Sequence, residues 1–224
     1  MRIVIRIGGS VIGWPPNASL VGKYGEVLMR LRSLGHQFVV IVGGGSIARD
    51  FIQLAREVGL NEKGQDEVAI SVSRLFAQIF AIKLGGLKAK QIPISIDDAA
   101  KIFEAQGVAF MGGLNPGMTT DAVAAMVASR IRADLIVKAT DQDGVYTKDP
   151  RKHPDAEKID ELSFKDLSAF LEEEKHKVGI HQILDPKAIQ LLHRGKIETI
   201  VVNGFQPENL ILAVKGEKVG TKIH

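Results

Sequence analysis

The sequence predicts an α/β fold on a mainly parallel sheet covered on both faces, and three observations predict it. Short apolar runs rich in β-branched residues recur at Ile3–Ile7, Val39–Val42, Val108–Met111, Leu135–Val137 and Thr199–Val202. Such runs suit a pleat buried on both sides. Stretches with apolar residues at helical spacing separate them, and strands alternating with helices are the pattern of parallel α/β sheets. Two of the runs also end in glycines followed by serine, Gly8-Gly9-Ser10 and Gly43-Gly44-Gly45-Ser46.

The totals agree with one sizeable domain over residues 1–224. At 224 residues and 45% hydrophobic content the chain can bury a large core. Its 29 basic and 26 acidic residues leave +3, too balanced for nucleic-acid binding by bulk charge. There is no cysteine, so disulfides and thiolate metal sites are excluded, and the six histidines lack metal-ligand spacing. The first apolar run is too short for a signal peptide, and no stretch is expected to span a bilayer. A cytoplasmic protein with no membrane or nucleic-acid partner is the expectation.

In chain order, Ile3–Ile7 is the first strand, and Gly13-Trp14-Pro15-Pro16-Asn17 reads as a turn. Leu20, Val21, Tyr24, Val27, Leu28 and Leu31 then mark a helix stopped by Gly35. Val39–Val42 is the central strand. Ile47, Phe51, Ile52, Leu54 and Ala55 mark a helix closing near Gly59, and Val68–Leu84 a second helix, more apolar than one face of a monomer needs. Gln91–Ile94 is expected as a short strand, Asp97–Gln106 as a helix, Val108–Met111 as a strand and Thr120–Ile131 as a helix. After the strand Leu135–Val137, Asp143-Gly144 signals a turn. A helix over Ile159–Leu171, a solvated charge run at Glu172–Lys177 and a helix over Pro186–Leu192 follow. The chain is expected to close with the strand at Thr199, a helix at Pro207–Val214 and a terminal strand at Val219–Ile223.

The glycine junctions carry the functional argument. Glycines let backbone N–H groups approach a phosphate that any Cβ would hold away. Ser46 is expected to cap the following helix, whose N-terminus offers unpaired donors and a positive dipole end. The loop Gly112–Asp121 repeats this strand, turn and helix-start design. Gly43, Gly45 and Ala48 also fit a dinucleotide fingerprint, with Asp66 at about the distance of its ribose-binding acid. That fingerprint needs the acid at a strand end, whereas Asp66 opens a helical pattern; as a plain residue there it would be an N-cap. No G-x-x-x-x-G-K-[ST] string occurs. Arg6 either places a guanidinium on the phosphates or is an arginine on a half-exposed strand.

Gly8-Gly9-Ser10, Gly43-Gly44-Gly45-Ser46, Thr140-x-x-Asp143-Gly144-Val145-Tyr146-x-x-Asp149-Pro150 and Gly220-Thr221 form an ordered set that resembles the amino acid kinase family over essentially the whole chain. The resemblance implies a three-layer α/β/α sandwich holding acceptor and ATP side by side above the sheet. Within the family, the loop Gly112-Gly113-x-x-Pro116-Gly117-x-Thr119-Thr120-Asp121 and the string Asp185-Pro186-x-Ala188 resemble the archaeal-type UMP kinase branch. Isopentenyl phosphate kinases carry a histidine where this chain has Val42. Another phosphate or carboxylate kinase of the family, or a nucleotide-binding protein without turnover, is the alternative.

The resemblance places Gly44, Asp66, Leu114, Asn115, Pro116, Gly117, Met118, Thr119 and Thr120 around UMP. It places Gly9, Ser10, Gly45, Arg49, Thr140, Asp141, Tyr146 and Asp149 around ATP. Arg6 stands where the family often has lysine, and Lys138 is the second candidate for the charge-neutralising side chain. The resemblance also implies a homo-oligomer, a hexamer. No acidic cluster looks like a metal cage, so Mg²⁺ is expected to arrive on the ATP phosphates.

Overall fold

Alternate residues of each central strand face opposite cores, and this places helices on both sides of the sheet. The computed structural model describes residues 1–12, 15–85, 92–167 and 184–224. Strands β1 (Arg2–Ile7), β2 (Gln37–Val42), β3 (Val108–Met111), β4 (Leu135–Thr140) and β8 (Glu198–Asn203) form its parallel body. Ile3, Ile5 and Ile7 of β1 join Phe38, Val40 and Val42 of β2 in one core, while Val4, Val39 and Ile41 join the other. The first core lies under α1 (Gly9–Ile12), α2 (Ala18–Ser33), α4 (Glu62–Gly85) and α8 (Asn209–Val214), and α3 (Gly45–Glu57) packs on α4. The second lies under α5 (Ile96–Gln106), α6 (Thr120–Ile131) and α7 (Pro186–Gly195). The result is the expected three-layer α/β/α sandwich.

Beyond β8, β9 (Thr221–Ile223) runs antiparallel to it, and β7 (Glu161–Leu162) pairs with β9. The seven-stranded sheet thus runs β3-β2-β1-β4-β8-β9-β7. A separate pair joins β5 (Val145–Tyr146) to β6 (Lys158–Ile159). In the centre β1 lies between β2 and β4, so Arg6 stands beside Lys138 across the β1–β4 ladder. That adjacency comes from strand order alone.

Local chemistry fixes most helix starts. Asn17, Ser95, Thr119 and Asp185 each accept a backbone N–H of the following helix through the side chain, and Pro186 occupies the first turn of α7. Four expectations change. The helix expected from Val68 starts at Glu62, with Asn61 Oδ1 accepting Gly64 N at 2.9 Å. Its first turns are polar and none of their residues is fully buried, so apolar spacing misses them. Residues 92–94 form no strand, and Gln91 lies outside the described residues. Residues 158–162 belong to β6 and β7 rather than to a helix, because distant partners at the sheet edge claim them; helix begins only at 164–167. The charge run 172–177 and Gly13-Trp14 also lie outside the described residues. Finally, α4 is long and apolar enough to cross a membrane by length and composition, contrary to expectation. Here it is a layer of the sandwich, with Phe76 and Phe80 in the core and Leu75 and Ile79 exposed.

Candidate active site

The site is built at the C-terminal ends of β1, β2 and β4, where the glycine turns leave the sheet. Gly8 N donates to Ala139 O at 2.8 Å and Gly43 N to Ile7 O at 3.0 Å, so each turn starts by bonding a neighbouring strand. Beyond that point the two turns touch. A Cβ on Gly9 would overlap the backbone of Gly45, and one on Gly45, which sits at φ +61°, would overlap the carbonyl of Gly9. Only glycine permits this approach.

The expected Ser46 cap is not made. Helix α3 begins at Gly45, its N-cap is Gly44, and no side chain caps it. Ser46 lies within the first turn. The helix therefore presents unpaired N–H groups and its positive dipole end to the cleft, which is the chemistry an anion needs.

Facing these turns is a buried cluster of two cations and one carboxylate. Lys138 Nζ donates to Asp121 Oδ2 at 2.6 Å, and Arg6 Nε lies 2.9 Å from Asp121 Oδ1 as an ion pair without hydrogen-bond alignment. Arg6 Nη2 donates to Thr120 Oγ1 at 3.0 Å. Side-chain exposure is 17% for Arg6, 3% for Lys138 and 11% for Asp121. Arg6 is thus a paired, largely buried cation and not a half-exposed strand residue. Burial opposes ionisation of Asp121, but Arg6 and Lys138 outweigh it and hold its carboxyl below the usual range. Burial, reinforced by the neighbouring Arg6, lowers Lys138 despite Asp121, with Asp185 adding a smaller upward pull. The cluster carries one excess positive charge.

Beside it lies a cleft of about 370 Å³, walled by the first turns of α3, by α4 and by the 112–120 loop. Of the residues expected at the acceptor, Gly44, Asp66, Asn115, Gly117, Met118, Thr119 and Thr120 line it. Leu114 is instead 6% exposed in the second core, and Pro116 is absent from the lining. Asp66 lies inside α4, past its first turn, so it is neither an N-cap nor the strand-end acid of a dinucleotide site. Its Oδ2 accepts Gly117 N at 2.7 Å, tying the loop to the helix.

Residues expected at ATP fall on two sides of the glycine turns. Gly9, Ser10 and Gly45 belong to α1 and α3, and Arg49 is exposed one turn into α3. Thr140 ends β4, and Asp141, Tyr146 and Asp149 follow it. Thr140 Oγ1 donates to Asp141 Oδ1 at 3.1 Å. Asp149 accepts Arg151 Nε at 3.0 Å and the Arg151 backbone N at 3.1 Å, and these bonds hold its carboxyl below the usual range. Tyr146 is raised by burial and then by the charge and hydrogen bond of Asp143, which also accepts Asn203 Nδ2 at 2.8 Å.

Sequence reasoning missed Asp121 as a partner of both cations, and Ser73 and Arg74 as anchors of the loop. The i, i+7 spacing of Asp66 and Ser73 on one helix was the available signal. Asp185 was noticed only as part of a string. It caps α7 with Oδ1, and its Oδ2 accepts the hydroxyl of Thr119, the cap of α6.

The pattern of the amino acid kinase family matches residues 1–203, and the chain belongs to that family. Individual relatives narrow the branch. The chain is 39% identical over 225 residues to the uridylate kinase of Methanocaldococcus jannaschii, covering 100% of this chain and 99% of that one. It is 41% identical over 223 residues to the uridylate kinase of Methanothrix thermoacetophila, with the same coverage. The crystal structure of uridylate kinase from Archaeoglobus fulgidus matches with a TM-score of 0.89 at 35% identity, covering 100% of both chains. A UMP kinase structure from Bacillus anthracis, 22% identical with a TM-score of 0.82 and covering 100% of this chain and 95% of that one, shares the fold.

Proposed function

We propose that this chain is a cytoplasmic UMP kinase of pyrimidine nucleotide biosynthesis, one domain that transfers the γ-phosphoryl of ATP to UMP, giving UDP and ADP. The observation that carries the reading is the cleft between Asp66 and Thr120, whose lining residue Thr120 accepts a hydrogen bond from Arg6 of the positive Arg6–Asp121–Lys138 cluster. Full-length similarity to uridylate kinases supports the choice of acceptor.

The chemistry needs no general base. With a second pKa of about 6, the UMP phosphate is mostly dianionic near neutral pH. One of its oxygens attacks the γ-phosphorus while the bond to the β–γ bridging oxygen breaks, and ADP carries away that electron pair. The protein positions the two phosphates and stabilises the spread charge. Glycine N–H groups and the uncapped end of α3 hold the phosphates, Asp66 takes the ribose of UMP, and Arg6 and Lys138 neutralise the equatorial oxygens. Thr140, Asp141, Tyr146 and Asp149 hold the nucleoside of ATP. Mg²⁺ arrives on the nucleotide, since Mg²⁺ shared with phosphates takes one or two carboxylates at most; when bound, it would screen charge on the ATP phosphates.

The protein works as a homo-oligomer, a hexamer. Phe51 and Leu54 on α3, Val58 at its C-cap, and Leu75 and Ile79 on α4 are exposed apolar residues on two packed helices, which supports burial by another copy. Light scattering that finds a monomer at micromolar concentration removes this part. A coupled ADP-release assay over UMP, CMP, isopentenyl phosphate and small carboxylates tests the activity. UMP is expected to be the best acceptor, and turnover of a carboxylate with none of UMP overturns the assignment.

A further inference from the structure

Helix α4 holds the 112–120 loop at three points before the loop reaches α6. Asp66 accepts Gly117 N. Ser73, 3% exposed, accepts Gly113 N at 2.8 Å and donates to Ile70 O at 2.7 Å. Arg74 donates from Nε to Gly113 O and from Nη2 to Leu114 O, each at 3.1 Å. Successive carbonyls of an extended chain point to opposite sides. Two successive carbonyls can meet one guanidinium only where the backbone turns, so the planar fork of Arg74 matches the bend that opens the loop.

Arginine is a costly choice for an anchor. Its charge is half-buried, and among the described residues no carboxylate pairs with it. Two peptide carbonyls take two of its five donors and leave its positive charge uncompensated.

We propose that Arg74 is a positioning residue for the acceptor: its fork sets the bend at Gly113-Leu114, and the loop residues Asn115 to Thr120 are thereby aligned for a phosphate-bearing substrate. The proposal deepens the UMP kinase reading and rests on it for the identity of the acceptor. Arg74→Ala loses the fork, whereas Arg74→Lys keeps the charge but reaches one carbonyl at a time. In steady-state kinetics Arg74→Ala is expected to raise KM for UMP about ten-fold, the size of one charge-assisted hydrogen bond, with KM for ATP within about two-fold. Arg74→Lys should fall between Arg74→Ala and the parent. Unchanged KM for UMP, or equal rises for UMP and ATP with a lowered Tm, overturns the proposal.

Hydrogen–deuterium exchange of peptides over 112–120, read without substrate, separates the two layers. Faster exchange there in Arg74→Ala, with α6 still protected, supports the fork, and unchanged exchange overturns it. If the parent enzyme neither binds nor turns over UMP while loop exchange responds as expected, the functional reading fails and the positioning role stands.

Discussion

Replacing Asp121 by asparagine removes one negative charge at nearly constant shape, and it leaves Arg6 and Lys138 facing each other. Breaking a buried ion pair by deleting one partner costs about 3–5 kcal/mol, because the remaining charge has lost its compensation. Two features place this site at the lower end. Arg6 keeps its bond to Thr120 and is 17% exposed, and Lys138, already lowered by burial, can relieve the repulsion by shedding its proton. A loss of about 3 kcal/mol corresponds to about 6–12 °C in Tm for a chain of this size. The pH dependence carries a sign. Asp121 has a folded pKa below its ordinary 3.8, so its stabilisation is present above that value and lost as pH falls through the depressed one. Lys138 has a folded pKa below 10.5, so between the two values the unfolded chain holds more protons and stability rises with pH. Without Asp121 the Lys138 pKa falls further, and the variant regains stability at a lower pH than the parent. Thermal melts should therefore show a gap that narrows as the pH rises toward the ordinary lysine value of 10.5. A gap under about 2 °C at pH 7, or one that does not narrow with rising pH, refutes the account.

Other expectations are independent of that one. Asp66→Ala loses the Gly117 tie and the proposed ribose contact together, so KM for UMP should rise about ten-fold or more while KM for ATP stays near its parent value; a lowered Tm with unchanged KM for UMP would leave Asp66 a loop tie only. Asp149→Ala should raise KM for ATP selectively, and equal effects on both substrates would move Asp149 out of the nucleotide site. Lys138→Met removes one of the two buried cations at similar volume, and kcat should fall by at least about a hundred-fold in stopped assays, the scale of one electrostatic donor; a fall of less than about three-fold would leave Arg6 as the sole neutralising group.

Much of this arrangement was legible in the residues, and the misses share a cause. Val39–Val42 and Leu135–Val137 announced buried strands because every side chain there is apolar, and Thr119 and Asp185-Pro186 announced helix starts because capping is a local bond. The N-cap of α3 was misplaced because a serine is a usual capping acceptor, while the helix starts at glycine with its amides left open. Residues 158–162 take their structure from β9 and β5, which no local pattern records. Asp121 reads as an ordinary first-turn acid until strand order sets Arg6 beside Lys138. Arg74 likewise gains meaning only when β3 delivers Gly113 and Leu114 next to α4.

The contact between Gly9 and Gly45 has an evolutionary consequence. Two segments far apart in sequence form what is mechanically a single part, since a methyl group on either strikes the other's backbone. Damage at the two positions is therefore one event counted from two ends. Alanine at both should cost little more than alanine at either, a strongly non-additive pair of the kind expected for residues in direct contact. Neither position can drift while the other is kept, so substitution histories at Gly9 and Gly45 should read as a shared constraint on backbone thickness and not as two separate demands on side-chain chemistry.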